Sequence, residues 1–403
     1  MLNLNTSTSM LNIHEAATVA LADRVRQMRA VGQKVIGLQT GDPDFSTPDL
    51  IIEAMNRALR NGQTHYADSR GLPQLRATIV EKLKRVNKVN YDPQKEILVT
   101  CGGVHAYHCA LRAIINPGDE ILVPDPAWMT HTNMVALMGG RAVRISSKPE
   151  NNFWPEPTAW EEACSPRTVA MVINSPNNPT GSVADEAYLN YILDFATRHN
   201  LWVISDEVYE NILFDNKHHT SFAALSDAKV RTLLVNSLSK TYAMTGWRVG
   251  YLAAPAEVIS QALKVSQYSI TNVAPFIQAG AICALTSPEV QEAAKNMVTI
   301  YEQRRAMVIQ NYQKFPRTPI RIYAPQGAFF FFFDCRSLNQ SSVDISERLL
   351  EDVGVAVVPG AVYGNNGEGF LRITIAAANH DIDEGVSRIL SWTSTHINSG
   401  KEE

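Results

Sequence analysis

Three stretches, MVINSPNNPTG (residues 171–181), LWVISDEVY (201–209) and LLVNSLSK (233–240), share one pattern: an unbroken apolar run that stops abruptly in polar, chemically competent side chains. Continuous rather than alternating hydrophobicity suits a strand buried on both faces, as in a parallel sheet covered by helices. Working outward, the same pattern predicts strands at 97–100, 120–124, 141–145 and 248–254, with helices at 104–115, 130–139 and 185–199. Repeated strand–helix–strand units predict an α/β unit over residues 50–285 with a mostly parallel sheet flanked by helices. Beyond Pro288 the character changes. A helix over 290–315 leads to strands at 320–323, 328–334, 355–358 and 370–375, with a helix at 346–352 among them. We read residues 1–49 and 286–403 as a smaller α+β unit with an N-terminal arm, and expect the helix at 17–31 to pack on it.

Composition narrows the function. The chain has 403 residues, with 36 Lys+Arg against 40 Asp+Glu for a formal charge of −4, and shows no Lys/Arg-dense stripe. That argues against a nucleic-acid groove. The richest apolar run, 328–333, is strand length, so no membrane span is expected. The opening MLNLNTSTSM lacks a basic flank and apolar stretch, so no secretory signal is expected. Cys101, Cys109, Cys164, Cys283 and Cys335 are scattered and form no C-x-x-C pair, which reads as reduced thiols in a cytoplasmic protein without a zinc site.

In an open parallel sheet, ligands bind beyond the carboxyl ends of the strands, so the groups found there carry the chemistry. Lys240 follows one such strand. It reads either as an ordinary surface lysine or as a partly desolvated amine fit to act as nucleophile and base. Ser237 and Arg248 offer a hydroxyl and a guanidinium suited to phosphate, and Gly102-Gly103 opens a helix whose amides suit the same anion. Asp206 ends the run LWVIS; it is either a helix cap or a fixed anion facing a protonated ring nitrogen. Trp128 could fill the core or lie flat on an aromatic ring. Together these groups describe a site for pyridoxal 5'-phosphate. No nicotinamide, P-loop or metalloprotease pattern competes, and His105 and His108 with Cys101 and Cys109 read as helix surface or pocket wall.

The strings GDPDFSTP (41–48), HYADSRGLPQLR (65–76), NSPNNPTG (174–181), SDEVY (205–209), SLSKTYAMTGWRVG (237–250) and LRIT (371–374) resemble those of the class I aminotransferases of pyridoxal-phosphate fold type I. The likeness spans about residues 17–389 and is strongest to the bacterial aspartate and broad-range transaminases, with some similarity to arginine–pyruvate transaminases. The resemblance implies that Lys240 carries the cofactor covalently and that Ser237 and Arg248 bind its phosphate with the amides of Gly103 and Val104. It implies that Trp128 stacks on the ring, that Asn178 and Tyr209 meet the ring hydroxyl oxygen, and that Asp206 meets the ring nitrogen. Arg372 would grip the substrate α-carboxylate, with Gly41 lining the same site. Tyr66 would reach the phosphate of the neighbouring subunit, implying a homodimer with shared active sites.

One departure bears on the substrate. Aspartate-specific relatives place a lysine directly after the Gly-Gly pair; here the residue is Val104. An apolar wall favours a neutral, aromatic or cationic amino donor, with Asp68 and Glu15 as acidic candidates for a cationic one, although both also read as ordinary solvent-exposed carboxylates. The expected reaction moves an α-amino group from such an amino acid to a 2-oxo acid. A cyclase, lyase or deaminase on the same scaffold would use the same cofactor chemistry, and a ligand sensor is the non-enzymatic alternative.

Overall fold

The computed structural model describes residues 10, 13, 15 and 17–395; most of the N-terminal arm and residues 396–403 lie outside the described residues. Its large sheet has seven strands in the spatial order Ile97–Thr100, Gly250–Ala253, Thr232–Ser237, Trp202–Asp206, Thr168–Asn174, Glu120–Asp125 and Arg141–Ser146. The sheet is parallel except for Gly250–Ala253, which runs against both neighbours. The three continuous apolar runs are its centre, and Met171, Val203 and Leu233 are fully buried. Helix Glu186–Arg198 begins where Asp185 accepts the Tyr188 amide at 2.8 Å, a local start signal that its sequence carries.

The expected strand at 248–254 is shorter than its hydrophobicity suggested. Arg248 sits at φ 54°, in the left-handed region, and the strand begins only at Gly250. An extended residue could not turn the guanidinium back toward the start of helix Gly102–Ile114, and this turn does.

The smaller sheet is antiparallel, in the order Val358–Pro359, Phe370–Thr374, Phe330–Asp334, Arg321–Tyr323. Its Phe331 and Phe333 pack with Ile345, Leu349, Val386 and Ile389, while Phe332 faces Val358, Tyr363 and Phe370 on the other side. The run expected as one strand at 355–358 is divided between two sheets. Val355–Ala356 pairs in parallel with Ile36–Gly37, and Val358–Pro359 pairs with Phe370–Thr374. The helix expected at 346–352 runs over Ser342–Val353, capped by Ser341 and ended by Gly354 at φ 66°. Helix Ala17–Ala30 packs through Leu21, Val25 and Met28 on Val35, Leu350 and Ala356. Among the described residues, no helix is long and apolar enough to cross a membrane.

Candidate active site

The carboxyl ends of the large sheet's parallel strands meet the smaller sheet around one pocket. Gly41, Gly103, Val104, Trp128, Asn178, Asp206, Tyr209, Ser237, Lys240, Arg248 and Arg372 all line it. Residues far apart in sequence are thus brought together as expected. Gly102 stands one residue behind this wall. Its φ of +79° lies in the left-handed region that glycine takes without strain, and a Cβ there would crowd the Arg248 guanidinium, 2.6 Å from Nη2.

At one end of the pocket the groups are built for an anion. Helix Gly102–Ile114 starts without a side-chain cap, so its first amides and positive dipole end are left for a ligand. Ser237 Oγ and Ser239 Oγ lie 2.8 Å apart beside them, and Arg248 is steadied by its 2.7 Å bond to the Thr245 carbonyl. In the middle stands Lys240, whose Nζ donates to the Gly41 carbonyl at 2.6 Å. Burial holds its ammonium down to about 8; Arg372 and Arg248 act in the same sense, while Asp42 and Asp206 oppose them.

The far end carries an anion of its own. Asp206 closes strand Trp202–Asp206; its Oδ2 lies 3.0 Å from His131 Nε2 and its Oδ1 accepts the Val208 amide at 3.3 Å. Trp128 stands just before helix Met129–Leu137, which supplies His131. Tyr209 is buried, and that burial pushes its phenol up against the opposing pull of Arg372 and an Asn178 hydrogen bond, so the phenol keeps its proton. Arg372, 1 % exposed, donates to Asn178 Oδ1 at 3.2 Å and to the Gln39 carbonyl at 2.6 Å, with its guanidinium 4.2 Å from the Phe330 ring centre. Its Nε has no hydrogen-bond partner among the described residues. A buried guanidinium held by neutral acceptors, with a donor to spare, is fit to receive a carboxylate.

Sequence reading missed His131. It follows Trp128 at the i,i+3 spacing that places side chains on one helix face, but only the folded sheet shows that Asp206 lies opposite. Tyr107 holds the same turn, its hydroxyl donating to the His131 carbonyl at 2.9 Å. His131 also lines the pocket, and through its bond to Asp206 it acts as a positioning residue for that carboxylate. His131→Leu is expected to lower kcat about tenfold, and His131→Gln, which keeps a donor, to restore most of the loss. Comparing the two variants' kcat at unchanged amino-donor KM is the check.

Other expected residues fall elsewhere. Tyr66 is 86 % exposed, beside a surface hollow lined by His65, Pro275 and Phe276, and does not line its own chain's pocket. Asp68 is not in the pocket either: its carboxylate is committed to buried Arg76 at 2.9 Å and to the Arg70 amide at 2.9 Å. Glu15 is exposed and also outside the pocket lining. His105 Nδ1 accepts the amide of Cys101, the residue before the helix, at 3.1 Å, while Nε2 meets Ser269 Oγ at 3.0 Å and Cys109 Sγ at 3.4 Å. Burial and His108 lower its imidazole to about 4, so it is neutral. With Nδ1 used as acceptor, Nε2 carries the hydrogen and offers no lone pair to a metal, although His105, His108 and Cys109 lie close enough together to surround one.

Comparison with known proteins agrees with this geometry. The family model described as "Aminotransferase class I and II" matches residues 33–389. The chain is 39% identical over 382 residues to a probable aspartate/prephenate aminotransferase of Aquifex aeolicus, covering 94% of this chain and 96% of that protein. It is 36% identical to aromatic-amino-acid aminotransferase 2 of Thermococcus litoralis, covering 88% and 90% respectively. Among solved structures, the aspartate aminotransferase of Thermus thermophilus with maleate superposes with a TM-score of 0.91 at 35% identity, covering 96% of this chain and 99% of that one. The chain belongs to the class I and II aminotransferases, transferases of fold type I that work with pyridoxal 5'-phosphate.

Proposed function

We propose that the enzyme takes a non-dicarboxylic L-amino acid, neutral, aromatic or cationic, as amino donor and passes the amino group to a 2-oxo acid. The observation that carries this is the pocket wall. Its lysine and arginine side chains are Lys240, Arg248 and Arg372, each with a place at the reacting centre, the phosphate end or the α-carboxylate. Val104, Thr18 and Thr130, also in the wall, carry no charge and are the surface we assign to a donor's side chain. A second carboxylate placed there would be desolvated without a cation.

Within this reading each residue has a task. Arg248, Ser237 and the amides of Gly103 and Val104 would hold the cofactor phosphate, in the cradle that a side chain at Gly102 would fill. Trp128 would cover the ring, Asn178 and Tyr209 would bond its hydroxyl oxygen, and Asp206 would keep its nitrogen protonated. When bound, pyridoxal 5'-phosphate supplies an aldehyde carbon and an electron-accepting ring. Arg372 fixes the α-carboxylate at two points, which sets the direction of the Cα–H bond. Lys240 Nζ, the buried amine of the pocket, would be the base that takes the proton from the substrate Cα.

We propose further that residues 50–285 form the large unit and 1–49 with 286–403 the small one; the two main sheets fall on either side of that division. The enzyme would act as a cytoplasmic homodimer in which the neighbouring subunit's copy of Tyr66 completes the phosphate end. The exposure of Tyr66 supports this, since a tyrosine left in water by its own chain is available to a partner.

The test is a panel of amino donors offered with pyruvate and with 2-oxoglutarate, following both the 2-oxo acid and the new amino acid. Neutral, aromatic or cationic donors should show the higher kcat/KM; aspartate as the best donor would overturn the reading. Asp68 has no part in it within one chain. Asp68→Ala is expected to cost roughly 1–3 kcal/mol, because buried Arg76 loses an acceptor. The ratio of arginine to alanine kcat/KM should not change, and thermal melting with a two-donor assay checks both halves.

A further inference from the structure

The turn that carries Asp206 and Tyr209 has two faces. Those two residues line the pocket, while their neighbours Glu207 and Glu210 are buried away from it. Glu207, 1 % exposed, accepts from Ser205 Oγ and Ser221 Oγ at 2.8 Å each and from the Phe222 amide at 3.2 Å. Its second oxygen meets His219 Nε2 at 3.0 Å and Asn87 Nδ2 at 3.2 Å. Glu210 pairs with Lys82 and accepts from Asn87 Nδ2 at 2.7 Å and Asn236 Nδ2 at 2.8 Å.

Two buried anions thus face Lys82 and His219. Burial alone would raise the Glu210 carboxyl and lower the His219 imidazole, yet Glu210 lies below its usual range beside Lys82 and His219, and His219 above its own beside Glu207. Replacing buried ion pairs by well-packed apolar residues is often neutral or stabilising, so stability alone does not account for the cluster. Its connections supply one. Asn236 donates to Glu210 and its Oδ1 accepts the Ser237 amide at 2.7 Å, so one arm ends on the phosphate-side hydroxyl residue. Ser205 and Glu207 clasp each other across Asp206, at 2.8 Å, so the other arm ends on the ring-side carboxylate. Asn87, which touches both glutamates, closes the π-helical turn Leu83–Asn87 at the end of helix Pro73–Lys82. Such a widened turn is a departure from regular helix that recurs at functional sites.

We propose that the buried network of Lys82, Asn87, Glu207, Glu210 and His219 is a positioning device for the cofactor site, holding Ser237 and Asp206 at a fixed separation. The inference rests on the assignment of those two residues given above, so its test carries a control. The readout is the rate at which holoenzyme releases pyridoxal 5'-phosphate on dilution. Ser237→Ala, the control, should release it about tenfold faster; no change there would remove the site assignment itself. Given that control, Asn236→Ala, which alters no charge, and Glu210→Gln should each speed release about tenfold. Adding Asn236→Ala to Ser237→Ala should add little, because both act through one residue. Should Glu210→Gln fail to fold, Lys82→Met combined with Glu210→Gln keeps the charge balanced and carries the same expectation. Unchanged release in Asn236→Ala and the folded Glu210 variant, with only a lower melting temperature, would overturn the proposal and leave the network a structural brace.

Discussion

Lys240→Ala should abolish transamination, lowering kcat by about 10⁴-fold, and should remove the visible absorbance of the covalently held cofactor. Lys240 Nζ stands between the anion cradle and Asp206, and its contact is a carbonyl, Gly41 O at 2.6 Å, rather than a carboxylate. A carboxylate partner would fix the positive charge; a carbonyl leaves the amine able to lose its proton. Burial lowers the ammonium to about 8, from the 10.5 usual for a lysine. The sign has a direct consequence. In cofactor-free protein, capture of the aldehyde needs the neutral amine, so its rate should climb toward pH 8 and level off above it. A lysine of ordinary basicity would still be climbing beyond pH 10. Stopped-flow absorbance of cofactor-free protein mixed with pyridoxal 5'-phosphate, across pH 6 to pH 10, separates the two. Normal turnover by Lys240→Ala would defeat the assignment outright.

Asp206→Ala carries the second-largest expected effect, about 10³-fold on kcat with less than about tenfold on cofactor affinity. This asymmetry follows from where the carboxylate sits. Cofactor retention is assigned to the phosphate end, to Ser237, Arg248 and the helix amides, which the substitution does not touch. Proton removal from Cα depends on a ring nitrogen held protonated, and that needs a fixed anion. Asp206 is fixed by His131 and the Val208 amide, so Asp206→Glu, displaced by one methylene, should fall between alanine and wild type. Single-turnover rates with Cα-deuterated donor, alongside cofactor titration, are the measurement. Equal and small losses in both would contradict the electron-acceptor role.

The sheet was legible because continuous apolar runs have few alternatives: strands Thr168–Asn174, Trp202–Asp206 and Thr232–Ser237 fall on the three runs from which the reading began. Strand 248–254 was overdrawn because a left-handed Arg248 leaves no trace in hydropathy. The run at 355–358 reads as one strand, and nothing in its four residues announces that Val357 is where the chain crosses between sheets. At the site, residues at strand ends were readable from their position after apolar runs, whereas His131 was not. Its meaning depends on a partner on another strand, and sequence spacing does not report distance across a sheet. Glu207 and Glu210 were hidden for a related reason. Within SDEVYE, Asp206, Val208 and Tyr209 face the pocket while Glu207 and Glu210 face away, and only the packed environment shows that both glutamates are buried.

The segment from Ile36 to Gly41 limits how the chain can be re-engineered. The carbonyls of Gln39 and Gly41 receive Arg372 and Lys240, and the preceding Ile36–Gly37 is zipped to Val355–Ala356. New chain ends opened by circular permutation between residues 37 and 41 would therefore unhook both cations at once and leave the protein folded but inert. The exposed bend at Asn151–Asn152 offers a cut that touches neither.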